Sequence, residues 1–190
     1  TNKIIKMWLQ LFTYSVGIFL IFVIKSPDTF GIKKLFESAL PITFSGWWFA
    51  SVYFVLYLVS PYINKLLNSL DKKEYFRFLT LLLFCWCIIP TIFGTSLSWQ
   101  SNSLLWFVFI YSLAGYVKLH IDINKINSKY CFIIAFIVTA LTFLSTFVID
   151  IIGIRVSSLA SYANFFYDMQ KLPILIISLT LFIGFINIDI

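Results

Sequence analysis

The sequence predicts an all-α fold, a polytopic bundle of about six transmembrane helices. The chain is 61% hydrophobic and only 12% charged, and its mean hydropathy is +0.95. Forty consecutive residues between Arg77 and Lys118 carry no charge. A membrane helix needs about 20 mostly apolar residues, so this run is long enough to cross a bilayer twice. The spans must be helices, because backbone groups in lipid have to satisfy their own hydrogen bonds.

Six apolar segments have the length of a span: Ile5–Ile24, Trp47–Ile63, Phe76–Gly94, Leu104–Leu119, Tyr130–Ile152 and Leu172–Ile188. The first is too long for a signal peptide and has no small-residue cleavage site. The third and fourth form a hairpin whose turn is the polar stretch 95–103. The fourth is short, and we expect Lys118 to lengthen it by reaching the membrane surface. We interpret residues 1–190 as a single transmembrane domain.

The positive charges are distributed unevenly between the two sides of these spans. Nine lie on one side, namely Lys3, Lys6, Lys65, Lys72, Lys73, Arg77, Lys118, Lys125 and Lys129. Five lie on the other, namely Lys25, Lys33, Lys34, Arg155 and Lys171. Because cytoplasmic loops carry the excess of Lys and Arg, the start of the chain is predicted to be cytoplasmic. This topology explains the net charge of +6 without a nucleic-acid partner.

Two long connections lie on the predicted outer side. In the first, residues 32–40 are expected to form a short amphipathic helix on the membrane surface. The second, residues 153–171, is long enough to suggest a function, although a solvated loop whose aromatic rings lie at the headgroup level is the alternative. Arg155 in it is the outer candidate for polar contact with a substrate. Tryptophans near the outer ends of the spans predict an aromatic belt, formed by Trp47, Trp48, Trp99 and Trp106.

Few residues indicate chemistry. No span has a carboxylate, Lys or Arg near its midpoint, which disfavours ion-coupled transport. His120, the single histidine, follows Lys118 at the cytoplasmic end of the fourth span, and no Gly-x-Ser-x-Gly turn accompanies it. Cys85 and Cys87 face different sides of a helix, and Cys131 lies far away in sequence, so we expect no metal site. The residues alone therefore indicate a membrane protein without a complete active site.

The second span contains three candidate binding residues, Trp48, Tyr53 and Tyr57. The two tyrosines share a helical face one turn apart, whereas Trp48 lies off that face. Their hydroxyls suit a sugar or a carbonyl, or equally a hydrogen bond to another helix worth about 1 kcal/mol. Pro61 is expected to kink or end this span.

The same segment carries a family resemblance. Its pattern W-W-F-x3-Y-x3-Y-L-x-S-P-Y-I-N, from Trp47 to Asn64, resembles a signature of the bacterial integral-membrane acyltransferase family 3. A basic turn at 72–75, the span segment Phe109–Val117 and the late segment Ser178–Phe185 continue the resemblance in order. Many members have an acidic pair where this chain has Tyr53 and Phe54, so roles of those carboxylates do not transfer.

The resemblance implies a membrane O-acyltransferase that modifies a cell-surface polysaccharide, of the capsule or O-antigen type, or its lipid-linked precursor. It implies an acyl-CoA donor, acetyl-CoA first, and the bacterial cytoplasmic (inner) membrane as the location. Members have about ten spans, and a histidine in the first is thought to act as base. No residue here matches it, so we expect the chain to be part of a larger domain and inactive alone, with unknown catalytic residues. A polysaccharide flippase or polymerase, or a non-enzymatic remnant, remains an alternative.

Overall fold

The computed structural model of the chain describes residues 2–26, 31–40, 48–94, 103–156, 158 and 161–188. These residues form helices and turns, and no strand occurs among them. Six of the described helical segments are long and apolar enough to cross a membrane, which confirms the predicted all-α polytopic architecture. The chain divides into two compact units, Thr1–Asn64 and Lys65–Ile190, which we describe in turn.

The first unit contains α1 (Asn2–Lys25), α2 (Ile32–Ala39) and most of α3 (Trp48–Ser69). The apolar part of α1, Ile4–Lys25, agrees with the first predicted span. The short helix α2 was also predicted, and its exposed Lys33 and Glu37 approach to 4.0 Å one turn apart. Its position on a membrane surface stays a prediction.

Pro61 was expected to kink or end the span; it lies inside α3, which continues to Ser69, so it does not end the span. Proline lacks the N–H that would bond the carbonyl four residues earlier, here that of Tyr57. The Ser60 hydroxyl donates a hydrogen bond of 2.8 Å to this same oxygen. The helix therefore continues, because a neighbouring side chain satisfies the backbone group that proline leaves free.

The second unit contains α4 (Lys72–Leu83), α5 (Ile89–Phe93), α6 (Ser103–His120), α7 (Ser128–Arg155) and α8 (Leu172–Ile186). A π-helical turn, Phe84–Ile88, joins α4 to α5, so that Lys72–Phe93 forms one span. The wide turn precedes Pro90, and such turns help apolar helices to accommodate a proline. Thr91 donates to the Cys87 carbonyl over 2.6 Å and satisfies a further oxygen of this turn.

Local sequence signals set the ends of these helices. The Asp71 side chain accepts a hydrogen bond from the Glu74 N–H (2.7 Å), and the Glu74 carboxylate accepts one from the Asp71 N–H (3.1 Å). This reciprocal capping box explains why α4 begins at Lys72. Gly94 ends α5 with a φ of 80°, a conformation that glycine adopts without strain.

The antiparallel spans give the second unit two distinct ends. The basic end holds the start of α4, the end of α6, the start of α7 and the end of α8, with Lys72, Lys73, Arg77, Lys118, Lys125 and Lys129. There Asn187 donates to the carbonyls of Ile123 and Ile126 over 2.6 and 2.5 Å. The opposite, loop end holds the end of α5, the end of α7 and the start of α8.

The described residues include only part of the predicted aromatic belt. Trp47, Trp99 and the turn at 95–102 lie outside the described residues. Trp48 is 51% exposed, as a belt residue would be. Trp106 is instead buried, with its ring centroid 5.4 Å from that of Phe109, so its placement in the belt was wrong. Its position at a span end was right, but the sequence did not show that this face of α6 packs inside the unit.

Candidate functional site

A buried lysine lies at the loop end of the second unit. Lys171 immediately precedes α8 and is only 1% exposed. Its Nζ donates a hydrogen bond of 2.5 Å to the Pro90 carbonyl and lies 3.8 Å from the centroid of the Phe165 ring. Beside it, the Leu172 N–H donates to the Thr91 hydroxyl over 2.8 Å. Two bonds thus join the start of α8 to the end of α5.

The surroundings explain why a cation is tolerated there. The Pro90 carbonyl lies in the last turn of α5, where the helix dipole is negative, and the Phe165 ring presents its electron-rich face. No described carboxylate forms an ion pair with Lys171. The adjacent Gln170 is also buried, at 4% exposed. The loop end therefore contains a buried positive charge next to a buried amide.

A cluster of aromatic rings occupies the basic end. Tyr75 is fully buried, and its hydroxyl donates to the Ser112 carbonyl over 2.7 Å. The rings of Tyr116 and His120 lie 5.3 and 5.6 Å from that of Tyr75, and 4.9 Å from each other. Gly115 leaves room for this arrangement, because a Cβ there would lie 2.7 Å from the Tyr75 oxygen.

An apolar cavity of about 370 Å³ lies between α4, α6 and α8. Phe76 and Tyr116 line it at the basic end, and Leu172 lines it at the loop end, next to Lys171. Leu175 and Leu179 of α8 form the wall between them. The lining of the cavity therefore extends from the aromatic cluster to Leu172, the residue that follows Lys171.

Comparison with known proteins assigns the chain to a family. A family model described as an acyltransferase domain matches residues 1–189. The chain belongs to the acyltransferase 3 family. No curated protein and no solved structure matches the chain. The resemblance found in the sequence is thereby confirmed for the family, and the protein is a membrane acyltransferase.

The predicted binding residues of the acyltransferase lie in both units. Trp48, Tyr53 and Tyr57 lie on α3 in the first unit, where Tyr53 is 44% exposed and Tyr57 is half-buried. Arg155 is exposed in the last turn of α7, at the same loop end as Lys171. Their contacts with a substrate stay a prediction. Among the described residues, no three His, Cys, Asp or Glu side chains are grouped to hold a metal ion.

Sequence reasoning missed the importance of two residues. Lys171 counted only as a loop charge, although a lysine directly before the Leu-Pro start of an apolar helix is a usable signal. His120 was placed at the end of the fourth span without a packing partner, whereas its imidazole packs against two phenol rings. The spacing of Tyr116 and His120, one helical turn apart, indicated that they share a face. Their partner Tyr75 comes from another helix and required the tertiary structure.

Proposed function

We propose that this acyltransferase is an O-acyltransferase of the bacterial cytoplasmic membrane. It transfers an acyl group, acetyl first, from cytoplasmic acyl-CoA to a hydroxyl of a surface polysaccharide, of the capsule or O-antigen type, or of its lipid-linked precursor. The basic end and the start of the chain face the cytoplasm in this proposal. The family match favours acyl transfer over the flippase, polymerase and remnant alternatives.

The observation that carries the proposal is the concentration of exposed cations at the basic end, close to residues that line the apolar cavity. Four exposed cations lie within four residues of Phe76 or Tyr116, which line the cavity, namely Lys72, Lys73, Arg77 and Lys118. A cluster of cations attracts a polyanionic ligand such as the phosphates of CoA. Because cytoplasmic segments are rich in Lys and Arg, the same cluster supports a cytoplasmic basic end.

The acceptor is expected at the other side of the membrane. Exposed Arg155 at the loop end suits a polar or anionic sugar. In the first unit, the exposed ring of Trp48 suits the apolar face of a sugar, and the hydroxyls of Tyr53 and Tyr57 suit its hydroxyl groups. We assign no proton transfer from the acceptor to His120, because it lies at the basic end.

Deletion of the encoding gene tests the function. Nuclear magnetic resonance of the purified surface glycan measures its base-labile acyl esters before and after deletion. We expect deletion to remove the esters and the wild-type gene to restore them. Unchanged ester content would refute the proposal. Loss of the whole polymer, or a change in its chain length, would instead indicate a flippase or polymerase.

Charge reversal at the basic end tests the donor. Lys72→Glu with Lys73→Glu is expected to raise the KM for acetyl-CoA several-fold and to leave kcat nearly unchanged, because only steering and phosphate contact are lost. Lys33→Glu with Lys34→Glu on α2 is the matched control, with the same change of charge in the first unit. An equal effect of both pairs would contradict a donor site at the basic end.

Labelling of single cysteines tests the topology. Lys73→Cys and Tyr162→Cys place an exposed thiol at the basic end and in the connection between α7 and α8. In intact spheroplasts, a membrane-impermeant maleimide should label position 162 and reach position 73 only after permeabilisation. The opposite pattern would reverse the proposed orientation.

A further inference from the structure

We propose that Lys171 is a catalytic residue whose ammonium stabilises the negative charge that forms on the acyl carbonyl oxygen during transfer. The proposal rests on the acyl-CoA donor of the proposed function and adds the place where its thioester reacts. In that step the acceptor hydroxyl oxygen attacks the thioester carbon. The new C–O bond forms, the C–S bond breaks, and the CoA sulfur leaves with the hydroxyl proton.

The first argument is the incomplete bonding of the buried charge. An ammonium has three N–H donors, and the described residues supply one acceptor, the Pro90 carbonyl. A buried charge is costly unless it is paired and fully hydrogen-bonded. The Asp168 carboxylate attracts Lys171 electrostatically, but no described carboxylate forms an ion pair with it. A residue that served only to join α8 to α5 would not need a charge. The Leu172 N–H already makes such a junction with the neutral hydroxyl of Thr91.

The second argument is access from the donor side. Phe76 and Ile121 line the apolar cavity at the basic end and are 58% and 36% exposed, whereas Leu175, farther along α8, is buried. The wall of the cavity along α8, from Ile183 to Leu172, is about 16 Å long. The wall therefore ends one residue from Lys171, which is only 1% exposed. A fixed cation is most effective on a developing oxyanion in such a place, because water does not screen it.

The alternative is that Lys171 only holds α8 against α5. Four variants distinguish this structural role from the catalytic one. Lys171→Met keeps the length of the side chain and removes the charge. Lys171→Arg keeps the charge with a different shape. Thr91→Val breaks the neighbouring neutral junction between the same two helices and serves as the structural control. Lys33→Met removes an exposed lysine of α2 in the first unit and serves as the charge control.

The assay measures release of CoA thiol from acetyl-CoA by the membrane-embedded full-length enzyme, with the surface glycan or glycerol as acceptor. We expect Lys171→Met to lower kcat by about 100- to 1000-fold, the usual effect of losing one oxyanion donor, with little change in the donor KM. Lys171→Arg should retain part of the activity, and Lys33→Met should retain all of it. Thr91→Val should lower the Tm more than Lys171→Met does and retain most activity.

Several results would overturn the assignment. Unchanged thiol release by Lys171→Met, with either acceptor, would overturn it. A raised KM for the acceptor with a normal kcat would also overturn it, because that result indicates a role in acceptor binding. Equal losses of Tm and activity in Lys171→Met and Thr91→Val would show that Lys171 has only a structural role. Thiol release that depends on Lys171 but acylates no glycan would retain the assignment and refute the proposed acceptor. No thiol release by the wild type would overturn both.

Discussion

Gly115 provides the sharpest test of packing in this acyltransferase. In Gly115→Ala the new Cβ would lie 2.7 Å from the Tyr75 oxygen and 3.9 Å from Leu67 Cδ1. The first distance is far below van der Waals contact, and the second is ordinary contact. Tyr75 cannot retreat easily, because it is fully buried and its hydroxyl is bonded to the Ser112 carbonyl. Either the ring moves and loses that bond, or α4 and α6 separate.

The expected magnitude follows from three terms. Overpacking a well-packed interior costs about 1–3 kcal/mol. Loss of the Tyr75 hydrogen bond costs about 1 kcal/mol more. Alanine in place of a helical glycine returns about 1 kcal/mol. The free energy of unfolding should therefore fall by about 1–3 kcal/mol, which for a chain of this size lowers the Tm by about 3–10 °C.

Thermal unfolding of the purified protein in detergent measures this change, and a second variant isolates its cause. Tyr75→Phe removes the clashing oxygen and should cost about 1 kcal/mol by itself. In that background Gly115→Ala should be neutral or stabilising, because no other atom apart from Leu67 Cδ1 lies within 4 Å of the new Cβ. Gly17→Ala in α1, which meets open space, is the control and should cost nothing. A neutral Gly115→Ala in the wild type, or an equal loss in both backgrounds, would refute the reasoning.

Two further predictions concern the same unit. Leu175→Trp should fill part of the apolar cavity and lower the rate of acyl transfer at least tenfold. Leu141→Trp, at an exposed position of α7, is the control and should leave the rate unchanged. Similar activity of both variants would show that the cavity does not serve the donor. Asn187→Ala should lower the free energy of unfolding by about 1–3 kcal/mol, because two hydrogen bonds to the carbonyls of Ile123 and Ile126 are lost. Limited proteolysis of the variant should then cut first near residues 121–127. An unchanged Tm and cleavage pattern would contradict this prediction.

Much of the fold was predictable because hydrocarbon leaves few choices. Apolar runs of membrane length must be helices, so all six spans and the short helix α2 were found with ends a few residues off. The errors came where side chains decide. Trp106 is buried against Phe109, and of the two effects expected of Pro61 the helix end does not occur, because Ser60 bonds the freed carbonyl. Neither contact has a periodic signature in the sequence.

The candidate site was less predictable. Sequence patterns identified the family and selected Trp48, Tyr53, Tyr57 and Arg155, which are exposed or half-buried. They did not identify Lys171, because burial of a loop residue depends on which helix ends meet.

By itself, the sequence determined the number and length of the membrane helices, their charge asymmetry and the family. These properties follow from local composition, since each apolar segment responds to the bilayer largely independently of the others. Only the tertiary structure decided that Lys171 lies buried against Pro90 and Phe165, and that Tyr75 joins Tyr116 and His120. The physical reason is that these contacts join distant helices, so they depend on side-chain packing, which hydrophobic periodicity does not encode.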